Sequence, residues 1–443
     1  DLPIAIGVLA ASGQIKMRKR KLMSLLQSTL FIGELSLDGG LKKTQGILSM
    51  AMKALDEKLV TVFTSSENIA LLHYIDTIAS YGARTLQDIV QVLIKPDSYT
   101  VEDISTNRED KTYSSIDYKD VHGQELGKRA MIIVATGLHH VMMTGPPGAG
   151  KTMLAERLPT ILPDMSWDER FETTRIHDVA GLLEKNTLIS RRPFRGPHHT
   201  ATLASIIGGG SNAKPGEITL AHNGVLFIDE APEFSRFILD ALRQPLESHT
   251  ITVNRLQNSY EYPAKFICVL AANPCPCGYY GDPHKECVCS STEFMKYQNK
   301  ISGPILDRID LYISVERPSF NDMLLINEDS LSSSDMKDLV ERGRNIQLER
   351  FKDCTFKTNG SMPHRAIREL CNIHDDCWNL LSDVYERFHF TGRSFDRLLK
   401  VSRTIADMDG SLYVEKEHIS EAMLYRHTPF HVSRIGDHDG TTV

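Results

Sequence analysis

The run Gly145-Pro146-Pro147-Gly148-Ala149-Gly150-Lys151-Thr152 constrains this chain more than any other eight residues. It fits the Walker A pattern G-x-x-x-x-G-K-[ST], and its flanks have the character that pattern needs. Val141-Met142-Met143 ahead of it is a short apolar run, read as a buried strand. Met153-Leu154-Ala155-Glu156-Arg157-Leu158 behind it reads as a helix. A strand–loop–helix of this kind closes backbone N–H groups around phosphates, and the helix N-terminus adds partial positive charge. Lys151 is then assigned to the β- and γ-phosphates of a nucleoside triphosphate, and Thr152 to Mg²⁺. A glycine-rich structural turn is the plain alternative, and the complete pattern in its strand–helix setting argues against it.

Further motifs extend this reading. Val225-Leu226-Phe227-Ile228 reads as a buried parallel strand that delivers Asp229 and Glu230 at its carboxyl end, where open α/β sheets bind ligands. Asp229 is assigned to Mg²⁺, and Glu230 to orienting and activating the attacking water. A third apolar run, Phe266 to Ala272, ends on Asn273, whose amide suits a γ-phosphate or the lytic water; a turn-favouring Asn before Pro274 is the alternative. Arg308, in Leu306-Asp307-Arg308-Ile309-Asp310, is either an ordinary ion pair or an arginine finger reaching a neighbour's γ-phosphate. Arg393, opening a helix of the C-terminal block, is a second candidate that reaches the phosphates across the domain hinge, with Arg397 one turn later as runner-up.

Length and composition set the frame. The chain has 443 residues, with 50 basic and 57 acidic side chains and a net charge of -7. Two to four domains are expected, and no global basic field draws in nucleic acid, so any such binding must be local. No apolar run reaches the roughly eighteen residues of a membrane span, and no secretory pattern is evident. Eight cysteines, four of them between 275 and 289, suit a reducing compartment and a metal site, so a cytoplasmic protein is expected. The opening Asp1-Leu2-Pro3-Ile4 lacks an initiator Met and reads like the middle of a domain, so a preceding piece is expected. The composition along the chain suggests an α/β block over 1–95, a polar linker over 96–120, and a second α/β block over 121–318. A helical, charged block over 319–430 and a loose tail over 431–443 follow.

Two inserts carry suggestive residues. Arg191, Arg192, Arg195, His198 and His199 crowd into nine positions, and phosphates would relieve the repulsion among the arginines. A loop salt-bridged to acids of the same chain is the alternative. The two histidines are assigned no metal. Thr250 to Val253 and Tyr260 to Tyr262 read as hairpin strands, with Arg255 at the tip as the best single contact candidate; an inert hairpin packed on a neighbour is the alternative. The run Lys16, Arg18, Lys19, Arg20 and Lys21 reads as a solvated face. Cys275-x-Cys277 and Cys287-x-Cys289 offer four thiolates to a structural Zn²⁺, with His284 weighed as a substitute ligand; free thiols or a redox pair are the alternatives.

Taken together, these motifs resemble AAA+ ATPases of the magnesium-chelatase-like clade, and within it the YifB/ComM family. The resemblance rests on long co-linear stretches: Asp120-Val121-His122-Gly123-Gln124-Glu125, Arg192 to Thr200, Pro215 to His222, Ala272 to Gly278, and Arg403 to Asp407. Residues Gly33 to Lys42 are similar to the family's Lon-protease-like domain; Lys42 matches that domain's lysine, the segment that would carry a serine nucleophile is absent, and protease function is unsupported. The resemblance implies a partial Lon-like α+β domain, a five-stranded parallel AAA+ core and a helical lid. It also implies ATP and Mg²⁺ as cofactors, a hexameric ring acting on single-stranded or branched DNA, and branch migration of incoming DNA in natural transformation. A magnesium-chelatase subunit driving metal insertion into a porphyrin is the alternative; the N-terminal block and the lack of a D-x-S-x-S motif argue against it. A nucleotide-gated scaffold that remodels nothing is a third reading, disfavoured by the complete acid, sensor and finger set.

Overall fold

The computed structural model describes residues 1–95, 116–183, 186–210, 213–254, 259–320 and 330–426. The chain divides into two compact units, Asp1–Tyr113 with Met165–Ser190, and Ser114–Asp164 with Arg191–Val443.

In the first unit, strands β1 (Thr29–Phe31), β4 (Thr61–Ser65) and β5 (Ala79–Ala83) form a parallel sheet in the order β1-β4-β5. Between β1 and β4, strands β2 (Glu34–Leu35) and β3 (Leu41–Lys42) make a short antiparallel pair that sets Glu34 opposite Lys42. The helix Trp167–Ala180 belongs to this unit, although the sequence reading placed it inside a continuous 121–318 block. Its capping box, Ser166 with Glu169, starts it, and Gly181 at φ 74° ends it. Phe171 and the following Leu188 bury with Ile47, Leu48 and Ala51. Asp178 accepts the Leu48 backbone N–H at 3.1 Å, placing a carboxylate at the start of the helix Ile47–Asp56. A periodic sequence pattern reports that such a helix exists; it does not say which core takes it.

The second unit is built on β6 (Val141–Thr144), β7 (Phe194–Arg195), β10 (Val225–Ile228), β13 (Ile267–Ala272) and β14 (Leu311–Ser314). These pair in parallel in the order β14-β6-β13-β10-β7. Strands β6, β10 and β13 are buried at every position, as expected for a parallel sheet covered on both faces. Alternate residues serve opposite cores. Val141, Phe227 and Val269 face the helices Glu125–Gly137, Lys151–Ile161, Ser333–Arg350 and Gly392–Met408, while Met142, Leu226 and Leu270 pack with Ile238, Leu239 and Ile305. Two small hairpins branch from this unit, β8 (Gly208–Gly209) with β9 (Lys214–Pro215), and β11 (Thr250–Asn254) with β12 (Ser259–Pro263).

The C-terminal helices share the core of the sheet, so the block assigned to 319–430 joins the same compact unit. Buried charges fix them. Arg403 has no exposed surface; its Nε donates to Asp407 at 3.0 Å, and its other nitrogens donate to the carbonyls of Cys371, Leu412 and Ser411. Arg350 pairs with the same carboxylate. The 96–120 linker and the 431–443 tail fall wholly or largely outside the described residues. Among the described residues no helix is long and apolar enough to cross a membrane.

Candidate active site

Strand order brings the three sequence motifs to one edge. The loop 145–150 leaves the carboxyl end of β6, Asp229 and Glu230 leave β10, and Asn273 leaves β13, which lies between them. The loop turns through Gly148 at φ 77° and Gly150 at φ 98°, a region that L side chains rarely adopt. Gly145 is fixed by space instead, because a Cβ there would lie 2.1 Å from the Val315 carbonyl oxygen.

Lys151 opens the helix Lys151–Ile161 and folds back over the loop. Its ammonium donates to the carbonyls of Gly145 at 2.6 Å and Pro146 at 3.1 Å, and to Asn273 Oδ1 at 3.1 Å. Burial pushes its pKa below the usual lysine range, while Asp229 and Glu230 act to hold it up. The Thr152 hydroxyl donates to Asp229 Oδ2 at 3.1 Å. The two side chains assigned to Mg²⁺ are therefore already adjacent, an oxygen pair of the kind that ion takes. Lys151, Thr152, Asp229 and Asn273 thus lie together at one edge of the sheet.

Glu230 adopts φ 48°, ψ 45°, and its N–H donates to Asp229 Oδ1 at 2.9 Å. Its carboxylate is exposed and lies 3.5 Å from His199 Nδ1. Sequence reading assigned His199 no such partner. It also missed Gln124, whose side-chain amide donates to Ala149 in the phosphate loop at 3.2 Å and to the Glu316 carbonyl at 2.6 Å. The Asp120 to Glu125 stretch had marked that position without revealing its task.

The arginines lie at the other edge. Arg308 precedes β14, so it sits at the amino ends of strands whose carboxyl ends carry the nucleotide motifs. Four residues of parallel strand separate the edges by roughly 13 Å. Its guanidinium, mostly buried, donates to Glu247 at 2.7 Å and to the Pro304 carbonyl at 2.6 Å. Arg393 approaches the same Glu247 at 3.9 Å with its side chain 64% exposed. Arg397 is committed to the Asp307 carbonyl at 2.6 Å and to the buried Asp310. The expectation that Arg393, or Arg397, reaches the phosphates across the domain hinge meets both side chains at the amino edge, Arg393 beside Glu247 and Arg397 bonded to Asp307 and Asp310.

The insert arginines divide. Arg195 makes a two-point pair with Glu217 at 2.6 and 2.8 Å, and Arg192 donates to the carbonyls of Pro163 at 2.7 Å and Asn223 at 2.8 Å. Both are thus engaged within the chain, which favours the alternative of a loop paired to its own acids and carbonyls, and Arg191 is the exposed one. The hairpin β11–β12 forms with Ile251 and Val253 buried. Arg255 lies outside the described residues. Lys16, Arg18, Lys19, Arg20 and Lys21 are exposed, as a solvated face requires.

Beyond Asn273, the sulfur atoms of Cys275, Cys277, Cys287 and Cys289 all lie within 4.8 Å of one another. All four are free thiols, and His284 stands outside the group. Burial opposes ionisation of Cys277, yet N–H donors from Tyr279 and Val288 and the neighbouring thiols bring it down to about 6. Cys289 is pushed up to about 12, first by burial and then by thiols that must share the site. Four thiols so close ionise together only around a cation.

A parallel sheet in this order, with a phosphate loop, an acidic pair and a polar sensor at adjacent carboxyl ends, defines a P-loop protein of the AAA+ class. Three families match in turn: Subunit ChlI of Mg-chelatase over residues 1–68, Magnesium chelatase, subunit ChlI over 117–323, and its C-terminal family over 330–426. Competence protein ComM of Haemophilus influenzae is 37% identical over 434 residues, covering 96% of this chain and 82% of its own. The YifB protein of Escherichia coli is 37% identical, with 96% and 81% covered. The magnesium-chelatase 38 kDa subunit of Rhodobacter capsulatus is 27% identical over 37% of this chain and 52% of its own. The chain belongs to the YifB/ComM family of magnesium-chelatase-like AAA+ proteins.

Proposed function

We propose that this chain is the subunit of a hexameric ring that hydrolyses ATP and uses the energy to bind and remodel DNA, as in branch migration during the uptake of transforming DNA. The observation that carries the reading is the separation of the two edges. The nucleotide motifs lie at the carboxyl ends of the sheet, and Arg308 with Arg393 lies at the amino ends, a placement that supports action on a neighbour's nucleotide. Likeness along nearly the whole chain to a protein named for competence supports DNA as the target. The chelatase reading is not favoured, since that relative matches only about a third of the chain.

The residues fit the work. Lys151 and the loop N–H groups would hold the β- and γ-phosphates, and Thr152 with Asp229 would hold Mg²⁺. When bound, Mg²⁺ neutralises charge on the transferring phosphoryl group. Glu230 orients water and takes its proton at a carboxylate oxygen, while the Asn273 amide fixes its place beside Lys151. Arg308 must leave Glu247 to act, whereas Arg393 is already exposed beside it. The Lon-like assignment of the first unit rests on Gly33 to Lys42 alone.

Steady-state ATP hydrolysis with and without single-stranded, duplex and branched DNA tests the reading. Stimulation by DNA that fades as salt rises is expected. Hydrolysis indifferent to every DNA, together with stimulated porphyrin metallation, would overturn it.

A further inference from the structure

The cysteine loop is joined to the nucleotide site at two points. Asn273, two residues before Cys275, is bonded to Lys151. Gly278, one residue past Cys277, sits at φ 86°, and a Cβ there would lie 2.7 Å from Pro147 Cδ in the phosphate loop. That close approach, with a left-handed backbone, needs glycine. The turn between is ordered around sulfur. The Gly278 N–H donates to the Cys275 carbonyl at 3.0 Å, the Tyr280 N–H to Cys275 Sγ at 3.3 Å, and the Cys277 N–H to Cys289 Sγ at 3.3 Å. Backbone donors aimed at sulfur stabilise thiolates, and a neutral thiol gains little from them.

The sulfur spacing identifies what the turn surrounds. Cys275 and Cys277 are 3.3 Å apart, and each lies 3.6 Å from Cys287. A disulfide would need about 2.05 Å. A tetrahedron of Zn–S bonds of about 2.3 Å has S···S edges of about 3.8 Å, close to these values. A set made only of thiolates selects a soft or borderline ion over Mg²⁺ or Ca²⁺.

We propose that Cys275, Cys277, Cys287 and Cys289 bind one zinc ion as four thiolates, and that this closed site holds Asn273 and Pro147 where ATP turnover needs them. The ion does no chemistry, because no coordination position stays open once four sulfurs are bound. The cysteines are positioning residues that act through Asn273. The site itself is independent of the enzymatic reading; its effect on turnover rests on that reading.

Metal content and kinetics of the full chain test both halves. Elemental analysis of dialysed protein should find about one zinc per chain, released to a metallochromic dye when an organomercurial titrates the thiols. The pair Cys287→Ser and Cys289→Ser together should retain below about a tenth of that zinc. It should lower kcat by about 10- to 100-fold while KM for ATP moves less than about threefold. Cys289→His, which keeps a ligand, should hold zinc and most of the activity. If the double serine variant does not fold by circular dichroism, the same kcat and KM comparison is made on wild-type protein before and after zinc is stripped by a chelator. Four freely reactive thiols with no zinc, or iron in its place, would overturn the site. Stoichiometric zinc whose removal leaves kcat unchanged would overturn the brace. Stoichiometric zinc in a wild-type protein that hydrolyses no ATP upholds the site and overturns the enzymatic reading beneath the brace.

Discussion

Glu230 occupies left-handed backbone at φ 48°, a conformation costing a non-glycine residue about 1–2 kcal/mol. In this conformation the Glu230 N–H donates to the Asp229 carboxylate, which offsets part of that cost. Two substitutions separate conformation from chemistry. Glu230→Gln should keep ATP binding, measured with a fluorescent analogue, while kcat falls by about 10²- to 10⁴-fold. Glu230→Gly should lose turnover as fully yet raise the unfolding free energy by about 1 kcal/mol in urea titration. Lys151 and Thr152 were legible in the sequence because the phosphate-loop spacing is the spacing of the chemistry, and Asp229 because an apolar strand ends on it. His199 beside Glu230 and Gln124 beneath the phosphate loop were not. Each reaches its partner across the fold, from 31 and 25 residues away, and no local pattern encodes that contact.

At the scale of elements, the apolar runs of β6, β10 and β13 announced a sheet covered on both faces, and alternate residues do serve two cores. The hairpin β11–β12 was equally legible from its alternation. The pair β8–β9 was not, since two glycines in a two-residue strand carry no pattern. Charge was the poorest guide. A cluster of arginines has the same composition whether it waits for phosphate or is already paired, and only the fold shows Glu217 opposite Arg195. Arg195→Ala should therefore lower the unfolding free energy by about 1–2 kcal/mol and leave the salt dependence of DNA binding unchanged. If Arg191 touches DNA, Arg191→Ala should reduce the slope of log K against log salt by about one without a stability change. Fluorescence anisotropy across a salt series checks both.

Across the whole second unit, the amino edge of the sheet is knitted by buried polar groups. His140 Nδ1 accepts the Cys268 N–H at 3.1 Å, and Asp310 accepts the His140 N–H at 2.9 Å while pairing with Arg397. Burial pushes His140 down to about 3, with Asp310 opposing the shift. Its unfolded pKa is about 6.5, so between those values the unfolded chain binds the extra proton. The stability His140 contributes is complete above pH about 6.5 and is lost at about 1.4 kcal/mol per unit as pH falls toward about 3. Burial lowers His249 too, which adds loss in the same direction. Urea titrations at pH 7.5 and 5.5 should show His140→Gln with a shallower pH slope than wild type.

This edge also decides how the molecule can work, because it holds Arg308 and Arg393 a strand's length from the Lys151, Asp229 and Glu230 of their own chain. On the proposed reading a subunit alone lacks a complete site. Mixing equal amounts of Arg308→Ala and Glu230→Gln subunits, each silent by itself, is the sharpest check. ATP turnover should return to about a quarter of wild type, since one random neighbour pair in four sets an intact Glu230 against an intact Arg308. Wild-type turnover by Arg308→Ala alone, or no recovery in the mixture, would contradict the division of the site between two edges.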